Sequence, residues 1–276
     1  MSKNIDKKNE TNVIPFDIAE MEADSGLGLG QIKDEDLALP FIKISDGNDA
    51  PKGAIFNDIT GEVLSGTDGI LVVPCYYQRR YVEWAPKESK EAGSGAPINI
   101  FTPEDKAAGK VPPTELRPGS NNDRTDWIVG SENYIENTAY HYVVRIDDQG
   151  LMEPGLITMK KTGLKKSRGW NSMMSSRIEH GKSGPFRPPS FAYVYHLTTE
   201  LQQKESYKWH LWKITLRGNL ADHCSEPGVV YSFAKSFASS VEAGDMVVKH
   251  ETEGAGTAET ATAETIITGD EKPSPF

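Results

Sequence analysis

Five cations fall within nine residues, Lys160, Lys161, Lys165, Lys166 and Arg168, and no acid interrupts them. A solvated helix face normally mixes signs, so a run of one sign reads as a surface that follows phosphates and releases their counterions. The run sits where a strand should end and a helix begin. A helix N-terminus adds partial positive charge and free N–H groups of its own. Aromatic rings interleave with cations in "YYQRRYVEW" (76–84), "KKSRGW" (165–170) and "YKWHLWK" (207–213). Cations for a backbone and rings for unpaired bases are what a single strand needs, with no reading of sequence. The candidates are Tyr77, Arg79, Arg80, Tyr81, Trp84, His141, Arg145, the five clustered cations, Trp209 and Lys213. Ordinary core packing accounts for about half of the aromatics, Trp170 and Trp212 among them.

Strand parity leaves one choice open. Along residues 72–84, Pro74, Tyr76, Arg80 and Trp84 alternate with Val73, Cys75, Tyr77, Arg79 and Tyr81, so neither face reads as pure core. In 207–218, Trp212, Ile214 and Leu216 share the buried parity, which leaves Trp209 and Lys213 on the other.

Catalytic patterns are weaker. "SGLGLGQ" has no strand before it and no helix after it, and "HGKSG" lacks the first glycine of a phosphate-binding loop. "PEDK" (103–106) gives half of a nuclease-like triplet with no apolar strand ahead of it. Asp147 and Asp148 stand in a turn, where Asp is common. Cys75 and Cys224 have no ligand-spaced partners, which argues against zinc or a disulfide framework and for a reducing compartment. The expectation is a non-catalytic protein without metal or cofactor. A strand-annealing recombinase, a metal-dependent nuclease acting on single strands and a virion scaffold are the competing readings.

Net charge is −10, an obstacle to a nucleic-acid partner until its distribution is resolved. Residues 140–220 carry 13 Lys and Arg against 6 acids, a local +7, while residues 1–39 are at −5 and 242–276 at −6. The acids thus concentrate in ends of low hydrophobicity, expected to be disordered. No apolar run is long enough for a membrane span and the polar start is no signal peptide, so a cytoplasmic location (host cytoplasm for a viral protein) is expected.

The elements that must hold these residues are mostly strands. Short strands are expected at 39–47 and within 53–69, a long one at 70–84, then a loop insertion at 86–135. Strands at 140–147 and 155–161, a helix at 162–178, and strands at 190–202 and 207–218 follow. Val230, Phe233, Phe237 and Val241 mark a last amphipathic helix. The order predicts a mainly β chain with minor α content, an OB-fold-like five-stranded antiparallel Greek-key barrel with its helix between strands three and four. The divisions are an acidic arm (1–36), the barrel (37–243) and an acidic tail (244–276). In such a barrel the ligand lies on strands two and three and the first and last inter-strand loops. Here these are the 86–139 insertion, the 140–161 hairpin and the turn near Lys204.

The runs "LPFIKISDG", "GILVVPCYYQRRYVEW", "AYVYHLTTE" and "YSFAKSFASSV", spread over 37–243, resemble bacteriophage single-stranded DNA-binding proteins, especially those of tailed phages of marine bacteria. The resemblance implies an OB-fold homodimer that coats intermediates of replication, recombination and repair. The end, "GDEKPSPF", resembles the partner-docking tip of bacterial single-stranded DNA-binding proteins through Asp270, Glu271, Pro275 and Phe276. It departs from that tip at Lys272 and Ser274. The tip implies recruitment of a polymerase, helicase or nuclease.

Overall fold

The run Ile70–Trp84 is rich in β-branched and aromatic residues and forms one unbroken strand of 15 residues. In a computed structural model of the chain, the described residues are 38–86, 97–117, 126–147 and 149–244, with isolated positions at 19, 23, 24, 27 and 28. Residues 1–37 and 38–276 form two units, and the second contains the fold. Its strands are β1 (Ile42–Ile44), β2 (Ile55–Asn57), β3 (Val63–Leu64), β4 (Ile70–Trp84), β5 (Pro97–Phe101), β6 (Thr114–Glu115) and β7 (Asp126–Ile128). They continue with β8 (Tyr134–Ile146), β9 (Met152–Lys160), β10 (Glu179–Gly181), β11 (Gly184–Phe186), β12 (Tyr193–Lys204) and β13 (Tyr207–Asn219). The helices are α1 (Pro103–Ala107), α2 (Gly163–Ser175) and α3 (Pro227–Ala243). The chain is mainly β.

The five long strands lie side by side in the order β13-β12-β4-β8-β9, every pairing antiparallel. Three successive strands, β4, β8 and β9, are joined on the far side of β4 by β12, which is Greek-key order. The arrangement is open at one seam: β9 and β13 make no ladder with each other among the described residues. β1 and the residue before it fill part of that seam: Phe41 bridges in parallel to Leu156 of β9, and β1 packs beside β9 and β13. Only short strands are available there, and a three-residue β1 cannot carry a full ladder.

Proline fixes the shape of β4. Pro74 has no N–H to give the ladder, and the register shifts between Pro74 and Tyr76, leaving Cys75 in a bulge. Before the bulge β4 is buried on both faces. Val73 and Cys75 face one core with Tyr140, Tyr142, Val144, Leu156 and the Val230–Val241 stripe of α3. Val72 faces the other with Val143, Ile157, Tyr195, Leu197, Trp212 and Trp170 of α2. A strand covered twice cannot show clean alternation, which explains the mixed parity of its sequence.

α3 begins with Pro227 in its first turn and ends on Gly244 at φ 85°, the left-handed position that glycine takes without strain. Burial of its apolar stripe, and not helix propensity, holds it on the sheet.

Residues 86–135 are not structureless throughout. β5 pairs with the end of β4, and β6 and β7 extend from the start of β8. Thr102 caps α1 reciprocally: its hydroxyl accepts from Asp105 N at 3.1 Å, and Asp105 Oδ2 accepts from Thr102 N at 3.0 Å. "PEDK" is therefore a capped helical turn, with Asp105 held by Thr102 and Lys110. None of the helices among the described residues is long and apolar enough to cross a membrane.

Candidate nucleic-acid interface

Residues opposite each other in an antiparallel ladder point to the same side. Trp84 faces Tyr134, Val82 faces Glu136, Arg80 faces Thr138, and Thr138 in turn faces Lys160. This side of the β4–β8–β9 surface is covered by α3 at one end only. At the other end it forms the floor of a groove of about 400 Å³, walled by β1 and the start of β13. Lys43, Trp84, Tyr134, Glu136, Thr138 and Lys160 line it.

Charge and rings meet at Lys160. Its ammonium is 5.6 Å from the Trp84 ring centroid, within cation–π range. It also lies 3.0 Å from Glu136 Oε2, close enough for an ion pair although not aligned as a hydrogen bond. Lys161 approaches the other oxygen of Glu136 at 3.7 Å. Lys161 has φ 48°, a left-handed conformation uncommon for a residue with a side chain. That kink turns the chain from β9 into α2, so two successive lysines flank one carboxylate. Lys43 pairs with Asp58 at 3.0 Å and lies over Phe41.

The opposite side of the same strands holds Tyr77, Arg79 and Tyr81. Tyr77 is 36% exposed and rests on His141. Arg79 Nε donates to Asn137 Oδ1 at 2.7 Å, and Lys106 lies 4.3 Å over the Tyr81 ring. These residues therefore do not share the groove with Trp84. Arg80, on the groove side, donates to the carbonyl of Arg79 and to Gln78 Oε1.

Two of the expected contact residues are internal. His141 is 1% exposed, stacked on Trp170 at 4.6 Å and paired with Ser167 Oγ at 2.8 Å. Burial pushes its pKa down to about 3, so it is a neutral core residue and not a groove cation. Arg145 reaches Glu62 at 2.8 Å and Glu153 at 2.9 Å, while Asn57 donates to Glu153 at 3.0 Å. It is a strut tying β8, β9 and the β2–β3 hairpin. Replacing Arg145 with Ala should cost about 1–3 kcal/mol in urea unfolding, since its loss leaves the partly buried Glu153 short of its cation, while the more exposed Glu62 is screened by solvent. Affinity for single strands should stay unchanged. A loss of affinity without a loss of stability would put Arg145 back among the ligand contacts.

The remaining cations separate. Lys166 pairs with Glu200. Lys165 and Arg168 are exposed on α2, and Lys213 is exposed on β13 opposite Thr198. Trp209 is half-buried opposite Gln202, and its indole N–H has no partner among the described residues. The five clustered cations thus separate three ways, Lys160 and Lys161 beside Glu136, Lys166 against Glu200 of β12, and Lys165 and Arg168 on the exposed face of α2. Asp270, Glu271, Pro275 and Phe276 lie outside the described residues.

A family model described as Pam3 phage gp34-like protein matches residues 8–247. The chain belongs to the Pam3 phage gp34-like family. No curated protein and no solved structure matches it. The groove-lining residues of this gp34-like chain all fall within the matched span, and the acidic tip at 270–276 falls beyond it.

Lys43, Tyr134, Glu136 and Thr138 are groove residues of the gp34-like chain that sequence patterns did not single out. The signal was present as a period of two, Tyr134, Glu136, Thr138, Tyr140, hidden because β8 begins inside the stretch read as a loop.

Proposed function

We propose that this gp34-like protein binds single-stranded DNA without reading its sequence, and coats it during phage replication, recombination and repair. The observation that carries the reading is the place of the groove. It lies on the β8–β9 hairpin, between the two ends of the β4–β8 connection (Trp84 and Tyr134) and next to the start of β13. Taking β4, β8, β9, β12 and β13 as the five strands of an OB-type barrel left open at one seam, this is the oligonucleotide-binding face of that fold.

Bases would stack on Trp84 and Tyr134, and phosphates would track Lys43, Lys160 and Lys161 along the rim. Stacking on a ring tolerates any base, so affinity comes without specificity. The protein acts here as a binding module with no chemical step. Its acidic tail recruits a polymerase, helicase or nuclease, and the protein pairs as a homodimer.

The test is quenching of tryptophan fluorescence by oligothymidylate. With the equivalent of two to three lysines on phosphates, affinity should fall roughly 7- to 20-fold between 50 and 200 mM salt. Trp84→Ala should remove most of the quench and cost about 1–3 kcal/mol of binding. Equal affinity for duplex DNA, or no response to single strands at 50 mM salt, would overturn the reading.

A further inference from the structure

Glu136 is out of place in a groove meant for an anion. Its carboxylate is only 6% exposed, it stands on the floor of the groove, and it is the acid that both Lys160 and Lys161 approach. The two lysines are by contrast more than half exposed, at 54% and 59%. Their ammonium groups can therefore swing to a ligand on the rim while the carboxylate stays behind.

Resting on the single-strand reading above, we infer that Glu136 is a built-in counter-ion that competes with the nucleic-acid backbone for Lys160 and Lys161. In the free protein one buried negative charge satisfies both lysines. A phosphodiester backbone must draw them outward and leaves Glu136 to take up a cation from solution. One fewer ion is then released overall than the number of lysines engaged, so binding is weaker and less salt-dependent than the lysines alone would make it. The same competition gives the strand a route off, because Glu136 recaptures each ammonium as a phosphate lets go. For a protein that must yield its strand to another enzyme, this sets the grip at a reversible level.

The geometry also separates the two parts of the ligand. A phosphate over the floor would meet the Glu136 carboxylate, whereas over the rim it meets ammonium groups. The backbone is thus directed to the rim, and the bases to the Trp84 and Tyr134 side of the groove.

The experiment measures anisotropy of a labelled short oligothymidylate with the full chain across 50 to 200 mM salt. Glu136→Gln keeps the shape and removes the charge. It should tighten binding roughly five- to tenfold at 50 mM salt and steepen the salt slope by about 0.7, the share of one extra ion per single-strand contact. In a Lys160→Gln/Lys161→Gln background the same change should have no effect, as coupled sites require. Unchanged or weaker binding by Glu136→Gln in a protein whose wild type binds would overturn the role of Glu136 and leave the single-strand reading standing. So would tightening that persists without the two lysines. A wild type that does not bind at 50 mM salt would overturn both. If Glu136→Gln does not fold, Lys160→Gln and Lys161→Gln alone decide. Either change alone, and the two together, should reduce the slope by about 0.7, and a reduction of about 1.4 in the double variant would refute the competition.

Discussion

Trp170→Ala should remove about 3–5 kcal/mol of stability, read as a fall in the urea midpoint with little change in the m-value. Trp170 is fully buried, stacks on His141 at 4.6 Å and meets the Tyr195 ring edge-on at 5.8 Å. It is the main anchor of α2, whose helix is short and presents few apolar residues. Leu164, Met173 and Met174 pack only partly buried around the same core. A cavity of indole size between α2, β8 and β12 cannot be filled by these neighbours without moving the helix. A loss under about 1 kcal/mol would mean that α2 is held by something other than this contact.

Acid should destabilise the fold through His141 before any carboxylate acts. Its folded pKa is about 3 and its unfolded value about 6.5, so between these the unfolded chain binds a proton that the folded one refuses. Stability therefore falls as pH drops through that window, by about 1.4 kcal/mol per unit. Asp105 acts lower and in the same direction. Backbone and side-chain bonds from Thr102 and the Lys110 ammonium hold its pKa at about 2, so its contribution is lost only below the ordinary Asp range. Melting temperature measured from pH 7 to 4.5 should fall steeply in the wild type and stay nearly flat in His141→Gln, even though that variant starts lower. Parallel slopes in the two proteins would show that His141 is not the titrating group.

Legibility in the sequence followed the number of faces each strand buries. β4 could be read end to end because Gly69 and Pro86 bracket a run rich in strand formers on both sides of Pro74. β12 and β13 were legible from the Glu205–Ser206 turn and the Trp212–Ile214–Leu216 parity. His141 and Arg145 were misread because β8 is covered on both sides. There a polar residue is not an exposed one, and its partners (Ser167, Glu62, Glu153) come from elsewhere in the chain. The lysine cluster was visible, but not the acids that answer it, since Glu136 and Glu200 approach only through folding. The insertion hid β5 to β7 because each is a few residues long and takes its order from the ends of β4 and β8. The place of the open seam was not legible, because closure depends on edge pairing that no local pattern specifies.

The extra residue at Cys75 makes β4 two strands in one with respect to which way its side chains point. Everything from Tyr76 to Trp84 takes its orientation from that single irregularity, because a shift of one residue turns every side chain over. What this segment must conserve is therefore its count of residues more than their identity. Exchanges such as Arg for Lys beyond the bulge are local, while a one-residue insertion before Trp84 would turn the indole out of the cleft and put Glu83 in its place, and a one-residue deletion would put Ala85 there.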